Sequence, residues 1–141
     1  MSYEQHGPYV EESTAVTITA TAADHGSIRA PKNHALRVLK VGYTVKTAVV
    51  AAGTTAVVIS FDLSDADDSA NRTELKTFTP ENGTLTVNAQ DDYDFTLNGY
   101  SGGYRIPAGR SLVFEHKTAA AGGSAAGVVG MYAIVKLDGV G

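Results

Sequence analysis

Apolar and polar residues alternate along this chain with a period of two, and no stretch carries the three-to-four spacing of an amphipathic helix convincingly. Val16, Ile18 and Ala20 stand against Thr17, Thr19 and Thr21, and Val57, Ile59, Phe61 and Leu63 share a second such face. Successive side chains of a strand point to opposite sides of its sheet, so this pattern specifies strands buried on one face. Turn residues interrupt the alternation every 8–15 residues, among them Pro31-Lys32-Asn33, Pro80-Glu81-Asn82-Gly83 and Ile106-Pro107-Ala108-Gly109. Proline presets φ and Asn-Gly tolerates positive φ, which ends one strand and starts the next. Eight or nine strands follow from this count. The expected fold is all-β: a single-domain antiparallel β-sandwich, a jelly roll of about eight strands being the commonest way to close one of this size.

Three stretches refine the expectation. In 36–47, Leu39, Val41, Tyr43 and Val45 share one face while Leu36 and Val38 keep the opposite phase, so a bulge near residue 38 or burial on both faces is expected. Tyr93, Phe95 and Leu97 are read as the inward face of another strand, and Ala23-Asp24-His25-Gly26 as a turn. The last strand, 128–137, is apolar on both faces: Val129, Met131, Ala133 and Val135 on one, Val128, Tyr132 and Ile134 on the other. Helix is expected nowhere, except for a single turn that 65–75 could accommodate. Residues 1–12 lack periodicity and are read as an N-terminal arm, and 13–141 as the sandwich domain.

A chain of 141 residues can bury about two-thirds of its unfolded surface, enough for one unstapled core. The chain has no cysteine, which removes disulfides, thiolate metal sites and a cysteine nucleophile. A net charge of -4 argues against sequence-independent nucleic-acid binding, which needs clustered cations. The amino terminus carries no basic, apolar signal pattern, and the longest apolar runs fall far short of a membrane span, so a soluble protein is expected. The charged fraction is 18%, below the roughly 25% of average chains, and suits a β-rich protein whose outer faces are partly covered by neighbours.

Each pattern that hints at chemistry has a plainer reading. Gly99-Tyr100-Ser101-Gly102-Gly103 matches a nucleophile elbow, but that motif needs a strand turning into a helix, and Tyr104-Arg105-Ile106-Pro107 opens a helix poorly. His6, His25, His34 and His116 lack metal-ligand spacing. His25 and His34 could meet across a short strand at 27–30, but exposed loop histidines are the default. The acidic segments 62–68 and 91–94 could ligate calcium, yet they miss the glycine and the bidentate glutamate of an EF-hand and are expected to be solvated loops. No metal or cofactor is therefore expected. Tyr93, Tyr100 and Tyr104 beside the glycine loop could stack on a sugar, a reading weakened by the absence of tryptophan. Asn71-Arg72-Thr73 and Asn82-Gly83-Thr84 match the glycosylation pattern by chance. Between Asp24 and Asp62 lie Arg29, Lys32, Arg37, Lys40 and Lys46 and no acid. Such cations either discourage edge pairing or seat the protein on an acidic surface.

Four stretches carry a family resemblance: Gly26-Ser27-Ile28-Arg29-Ala30-Pro31, Arg37-Val38-Leu39-Lys40-Val41-Gly42-Tyr43-Thr44-Val45, Ile106-Pro107-Ala108-Gly109-Arg110-Ser111-Leu112-Val113-Phe114 and Tyr132-Ala133-Ile134-Val135-Lys136-Leu137. In style and segment order, over most of 13–137, the chain resembles the small jelly-roll or β-sandwich decoration (cement) proteins of tailed bacteriophages. The resemblance implies a non-catalytic virion protein on the capsid surface, assembled in the host bacterial cytoplasm. Its implied partners are the major capsid protein and itself, as a homotrimer, with neither nucleic acid nor membrane. Residues 1–12 then become a docking arm, with Tyr3, Glu4, His6 and Tyr9 as capsid-contact candidates beside the basic Arg29, Lys32 and Arg37. Val128, Tyr132 and Ile134 become subunit-interface candidates, although burial between two sheets explains the two-faced strand equally well. The alternative is a phage tail, fibre or carbohydrate-binding β-module.

Overall fold

The computed structural model describes residues 9–12, 16–18, 23–47, 58–64, 72–78, 90–118 and 127–140. These form β1 (Tyr9–Glu12), β2 (Val16–Ile18), β3 (Ala23–Arg29), β4 (His34–Thr47), β5 (Val58–Ser64), β6 (Thr73–Phe78), β7 (Gln90–Asp94), β8 (Tyr104–Ile106), β9 (Ser111–Thr118) and β10 (Gly127–Val140). The one helical element among them is a 3-10 turn at Phe95–Leu97. The turn at 80–83, the segments 65–71 and 85–87 and the tip at 119–126 lie outside the described residues.

All pairings are antiparallel and make two sheets. In the first, β1 and β2 occupy successive stretches of one edge of β10, β4 lies on its other edge, and β7 and β8 occupy successive stretches beyond β4. The second runs β3-β9-β5-β6. Counting β1 with β2 and β7 with β8, the ten strands fill eight positions. The chain crosses between sheets from β2 to β3, β3 to β4, β4 to β5, β6 to β7, β8 to β9 and β9 to β10. Four-stranded order in each sheet with these crossings is a jelly roll, as the turn spacing implied.

The inward residues of both sheets make one core. Val41, Tyr43 and Val45 on β4 and Val129, Met131, Ala133 and Val135 on β10 join Ile59, Phe61 and Leu63 on β5 and Leu112 and Phe114 on β9. Phe61 is fully buried, and its ring meets Phe78 at 6.0 Å and Phe114 at 5.4 Å edge-on. Tyr43 crosses from the first sheet to meet Phe78 at 5.4 Å. Edge-to-face pairs set the electropositive rim of one ring against the face of the next. Along the β6–β7 side the Lys76 ammonium lies 4.5 Å from the Tyr93 ring and 5.4 Å from that of Phe78, bridging the sheets over aromatic faces.

The phase break in β4 is a bulge: Val38 pairs Val135 and Lys40 pairs Ile134, leaving Leu39 as the extra residue. Both Val38 and Val41 thereby reach the core. Two expectations are corrected. Residues 23–26 are strand, with a bulge between Asp24 and Gly26 that leaves His25 unopposed; Gly26 takes φ 138 there, which favours glycine. Phe95 is inward, but Leu97 is not: the strand stops at Asp94, whose side chain caps the 3-10 turn and leaves Leu97 81% exposed. A side-chain acceptor two residues ahead of the amide offers the backbone an alternative to the ladder, and here it wins.

Candidate functional site

The outer face of the first sheet carries the three subunit-interface candidates. Across it, Val10 pairs Ile134, which pairs Lys40, which pairs Asp94; Tyr132 pairs Gly42, which pairs Asp92. A side-chain carbon on Gly42 would sit 2.6 Å from the Tyr132 ring and 2.6 Å from the Asp91 carbonyl, so the phenol end of Tyr132 lies against the glycine. Burial, then the charges of Asp92 and Asp91, push the Tyr132 hydroxyl above its ordinary range. Lys46 lies similarly over Gly130, and Lys40 faces Asp92 at 3.9 Å. Val128, Tyr132 and Ile134 are half-buried, and Val10 is 56% exposed. Together they form an apolar strip on an outward sheet face, while Val129, Met131, Ala133 and Val135 are fully buried beneath it.

The basic candidates fall in two places. Arg29 and Lys32 line an open pocket of 420 Å³ with Ala30, Pro31 and Gly109. Two turns build it: the Gly109 amide donates to the carbonyls of Ala30 and Pro31, each at 3.2 Å, and Arg110 N donates to Pro107 O at 3.0 Å. Arg29 Nε donates to Gly109 O at 3.2 Å. Arg37 instead lies on the first sheet, opposite Lys136 and Arg105, where its Nε meets Asp138 at 2.8 Å. Arg105 shares that carboxylate at 4.0 Å. Arg37 also donates to the Gly103 carbonyl at 3.2 Å. Tyr3, Glu4 and His6 lie outside the described residues, and Tyr9 opens β1 opposite Val135.

Between β7 and β8 the chain builds a tight aromatic loop. Asp94 accepts from the Thr96 amide at 2.9 Å and its carbonyl from Asn98 Nδ2 at 2.7 Å; Tyr100 N donates to Phe95 O at 3.1 Å. The Thr96 hydroxyl and amide hold the Asp94 carboxyl below the usual range. Phe95 anchors the loop in the core, ringed by Tyr93 at 5.1 Å and by Tyr100 and Tyr104 at 5.8 Å each. Tyr100 is 44% exposed. Ser101 sits in the turn ahead of strand β8, so the strand-to-helix context of a nucleophile elbow is missing. Gly103 has φ 98, and a side chain there would meet the Val38 carbonyl at 2.8 Å.

The second sheet holds a cluster that periodicity did not announce. The bulge turns His25 onto His116, with Nε2 against Nδ1 in a hydrogen bond and the rings stacked at 4.6 Å. His34, the partner considered for His25, instead opens β4 opposite Val140, and His116 is fully buried rather than in an exposed loop. Burial, then the charge His116 can carry, push His25 down to about 4. On the outer face, Arg72 grips Asp24 through two bonds of 2.7 Å and meets Glu115 at 3.3 Å. This hydrogen bond holds the Asp24 carboxyl low. Asp62, expected in a solvated loop, is a buried residue of β5 that accepts from Ser60 Oγ at 2.6 Å. Burial first, then the neighbouring carboxyls of Asp62 and Asp24, push Glu115 up to about 7. Asp62 on β5 and Asp91–Asp94 on β7 belong to different sheets, and residues 65–68 of the first acidic segment lie outside the described residues. Among the described residues no group of three or more histidines or acids is placed to hold a metal.

No protein-family profile matches the chain, and no curated protein matches it. Among solved structures, a chain from the structure of infectious bursal disease virus Gx strain aligns at 12% identity, over 95% of this chain and 37% of that one. Its TM-score of 0.34 is too low for that likeness to assign a family or a role.

Proposed function

We propose that this chain is a virion structural protein of the decoration type, which binds the outside of an assembled phage capsid and stabilises it without catalysing a reaction. The observation that carries this reading is the apolar strip of Val10, Val128, Tyr132 and Ile134 on the outer face of a cross-braced jelly roll. A rigid sandwich with an adhesive outer sheet is what cementing needs. Anything that binds only the assembled lattice raises that lattice's resistance to heat by mass action. In this reading the partners are the major capsid protein and further copies of the chain in a homotrimer. Arg29, Lys32 and Arg37, with Tyr3, Glu4 and His6 and with Tyr9 at the start of β1, are the contacts to the capsid.

Mixing the protein with undecorated heads and measuring occupancy by cryo-EM tests the reading, and no binding at micromolar protein would end it. Ile134→Lys, which plants a charge in the strip, is expected to lower occupancy at least about tenfold, equivalent to about 1.4 kcal/mol of contact energy. A circular-dichroism spectrum matching the parent's would place that loss at the surface.

The aromatic loop favours a second reading, a carbohydrate-binding module. The Tyr100 and Tyr104 rings lie 5.1 Å apart at a tilt of 57°, an aromatic pair on which a sugar face could stack. Glycan-array binding that Tyr100→Ala abolishes would establish it, and a silent array would remove it.

A further inference from the structure

One row on the outer face of the first sheet sets like charges directly against each other. Arg37 of β4 pairs with Lys136 of β10 on one side and with Arg105 of β8 on the other. All three point outward, since their chain neighbours Leu36, Val38, Val135 and Ile106 are buried in the core. Opposed side chains on one face of neighbouring strands interact, and like charges so placed destabilise a sheet. Among the described residues, Asp138 is the carboxylate paired with this row: it meets Arg37 Nε at 2.8 Å and Arg105 Nε at 4.0 Å. Three cations less one carboxylate leave a local charge of +2, in a chain whose net charge is -4.

The row is held in place and open to solvent. Arg37 donates through Nε to Asp138 and through Nη1 to the Gly103 carbonyl at 3.2 Å, so two acceptors orient its guanidinium. A planar fork oriented in advance loses less freedom when it meets a further carboxylate. The Arg105 side chain is 42% exposed, and Lys136 is exposed as well.

We propose that Lys136, Arg37 and Arg105 form a docking site for an extended acidic segment of a partner protein. The proposal deepens the decoration reading, on which it rests only for calling that partner a capsid subunit. Asp138 already shows the chemistry, a carboxylate seated on two of the three cations. Neighbouring strands lie about 4.8 Å apart, so three strands spread the cations over about 10 Å. Acidic side chains on alternate residues of an extended segment lie about 7 Å apart, and two of them match both that span and the surplus of two charges. The site is a sheet surface, whereas small ligands take concave pockets. Three cations on an acidic chain are also few for a nucleic-acid backbone, whose binding rests on many phosphate contacts. An incoming acidic segment offsets the like-charge repulsion that the empty row carries.

Titrating the protein at low salt with a short peptide of alternating glutamate and threonine, followed by backbone amide NMR, tests this. Shifts are expected to cluster at Arg37, Arg105, Lys136 and the adjoining Gly103 and Asp138, and to fade as salt screens the exposed charges. The same peptide with glutamine for glutamate should not bind. Arg105→Gln and Lys136→Gln should each weaken binding at least about threefold, as the loss of one exposed ion pair would. Lys46→Gln, which removes a cation from the other end of β4, should leave binding unchanged. Undecorated heads separate the two readings. Peptide binding without head binding would end the decoration reading and keep the docking row. Heads that take up a variant carrying both Arg105→Gln and Lys136→Gln as well as the parent would end the row's docking role and keep decoration. No shifts at millimolar peptide, an equal loss in Lys46→Gln, or tighter binding of inorganic phosphate or a single-stranded oligonucleotide would overturn the proposal. So would self-association that Arg105→Gln abolishes, since the occupant would then be a second copy. Should either variant not fold, the site mapped in the parent protein decides alone.

Discussion

Replacing Phe61 by alanine is expected to destabilise the fold by about 4 kcal/mol, the middle of the range for a buried aromatic. Phe61 lies on β5, which has β9 on one side and β6 on the other, and it has no exposed surface. Its ring contacts Phe114 on the first neighbour and Phe78 on the second, and Phe78 in turn meets Tyr43 of the opposite sheet. Truncation removes the hub of this chain of rings as well as its own transfer free energy, and two rigid sheets can collapse only partly into the space. For a domain of this size the loss corresponds to a Tm lower by roughly 12 °C. The natural control is Leu97→Ala: an apolar residue of similar bulk, 81% exposed, which should shift stability by no more than about 0.5 kcal/mol. Both are read by thermal or urea unfolding. A Phe61→Ala loss below about 1 kcal/mol would mean that the core does not bear on that ring.

The contrast between those two residues marks how far the sequence carries. Ile59, Phe61 and Leu63 were visible as an inward face because a central strand obeys strict alternation, and all three are buried. Phe95 and Leu97 obeyed the same alternation and parted, since a cap by Asp94 outcompetes a strand whose continuation along β4 is taken by β8. The jelly roll itself followed from turn spacing, whose long count leaves few ways to close two sheets. The candidate site divides similarly. Val128, Tyr132 and Ile134 were separable from the core by parity alone, and they do lie on the outer face. The histidine pair was not legible, because a bulge at His25 reverses the parity that a reader would use. Nor was the carboxyl cluster: the polar alternation of Ser60, Asp62 and Ser64 implies solvent, and only Arg72, reaching over from ahead of β6, explains why charged groups converge there. Parity is local, whereas these contacts join residues that are 43 and 48 positions apart.

The largest effect expected on the outer face comes from the smallest substitution, Gly42→Ala. One added methyl would lie 2.6 Å from the Asp91 carbonyl and 2.6 Å from the Tyr132 ring, closer than packed carbon atoms approach. The backbone contact cannot be relieved by a rotamer change, so β7 must shift from β4, while the Tyr132 ring must lift from the sheet. Overpacking of this kind costs about 2–3 kcal/mol. Gly130→Ala on the neighbouring strand separates the two causes. There the new methyl meets chiefly the far end of Lys46, at 2.9 Å from its Cε, and a flexible lysine swings aside. Gly130→Ala should therefore cost less than about 1 kcal/mol, within the range of surface changes. A lifted Tyr132 also loses the burial, and then the nearness of Asp92 and Asp91, that raise its hydroxyl, so its titration, followed by ultraviolet difference absorbance, should move back towards that of an ordinary tyrosine in Gly42→Ala alone. If the strip of Val10, Val128, Tyr132 and Ile134 is the adhesive surface, Gly42→Ala should lose capsid occupancy at temperatures where it is still folded, and Gly130→Ala should keep it. Equal occupancy for the two would sever the packing of Tyr132 against Gly42 from binding, and leave that glycine a purely structural reason for being there.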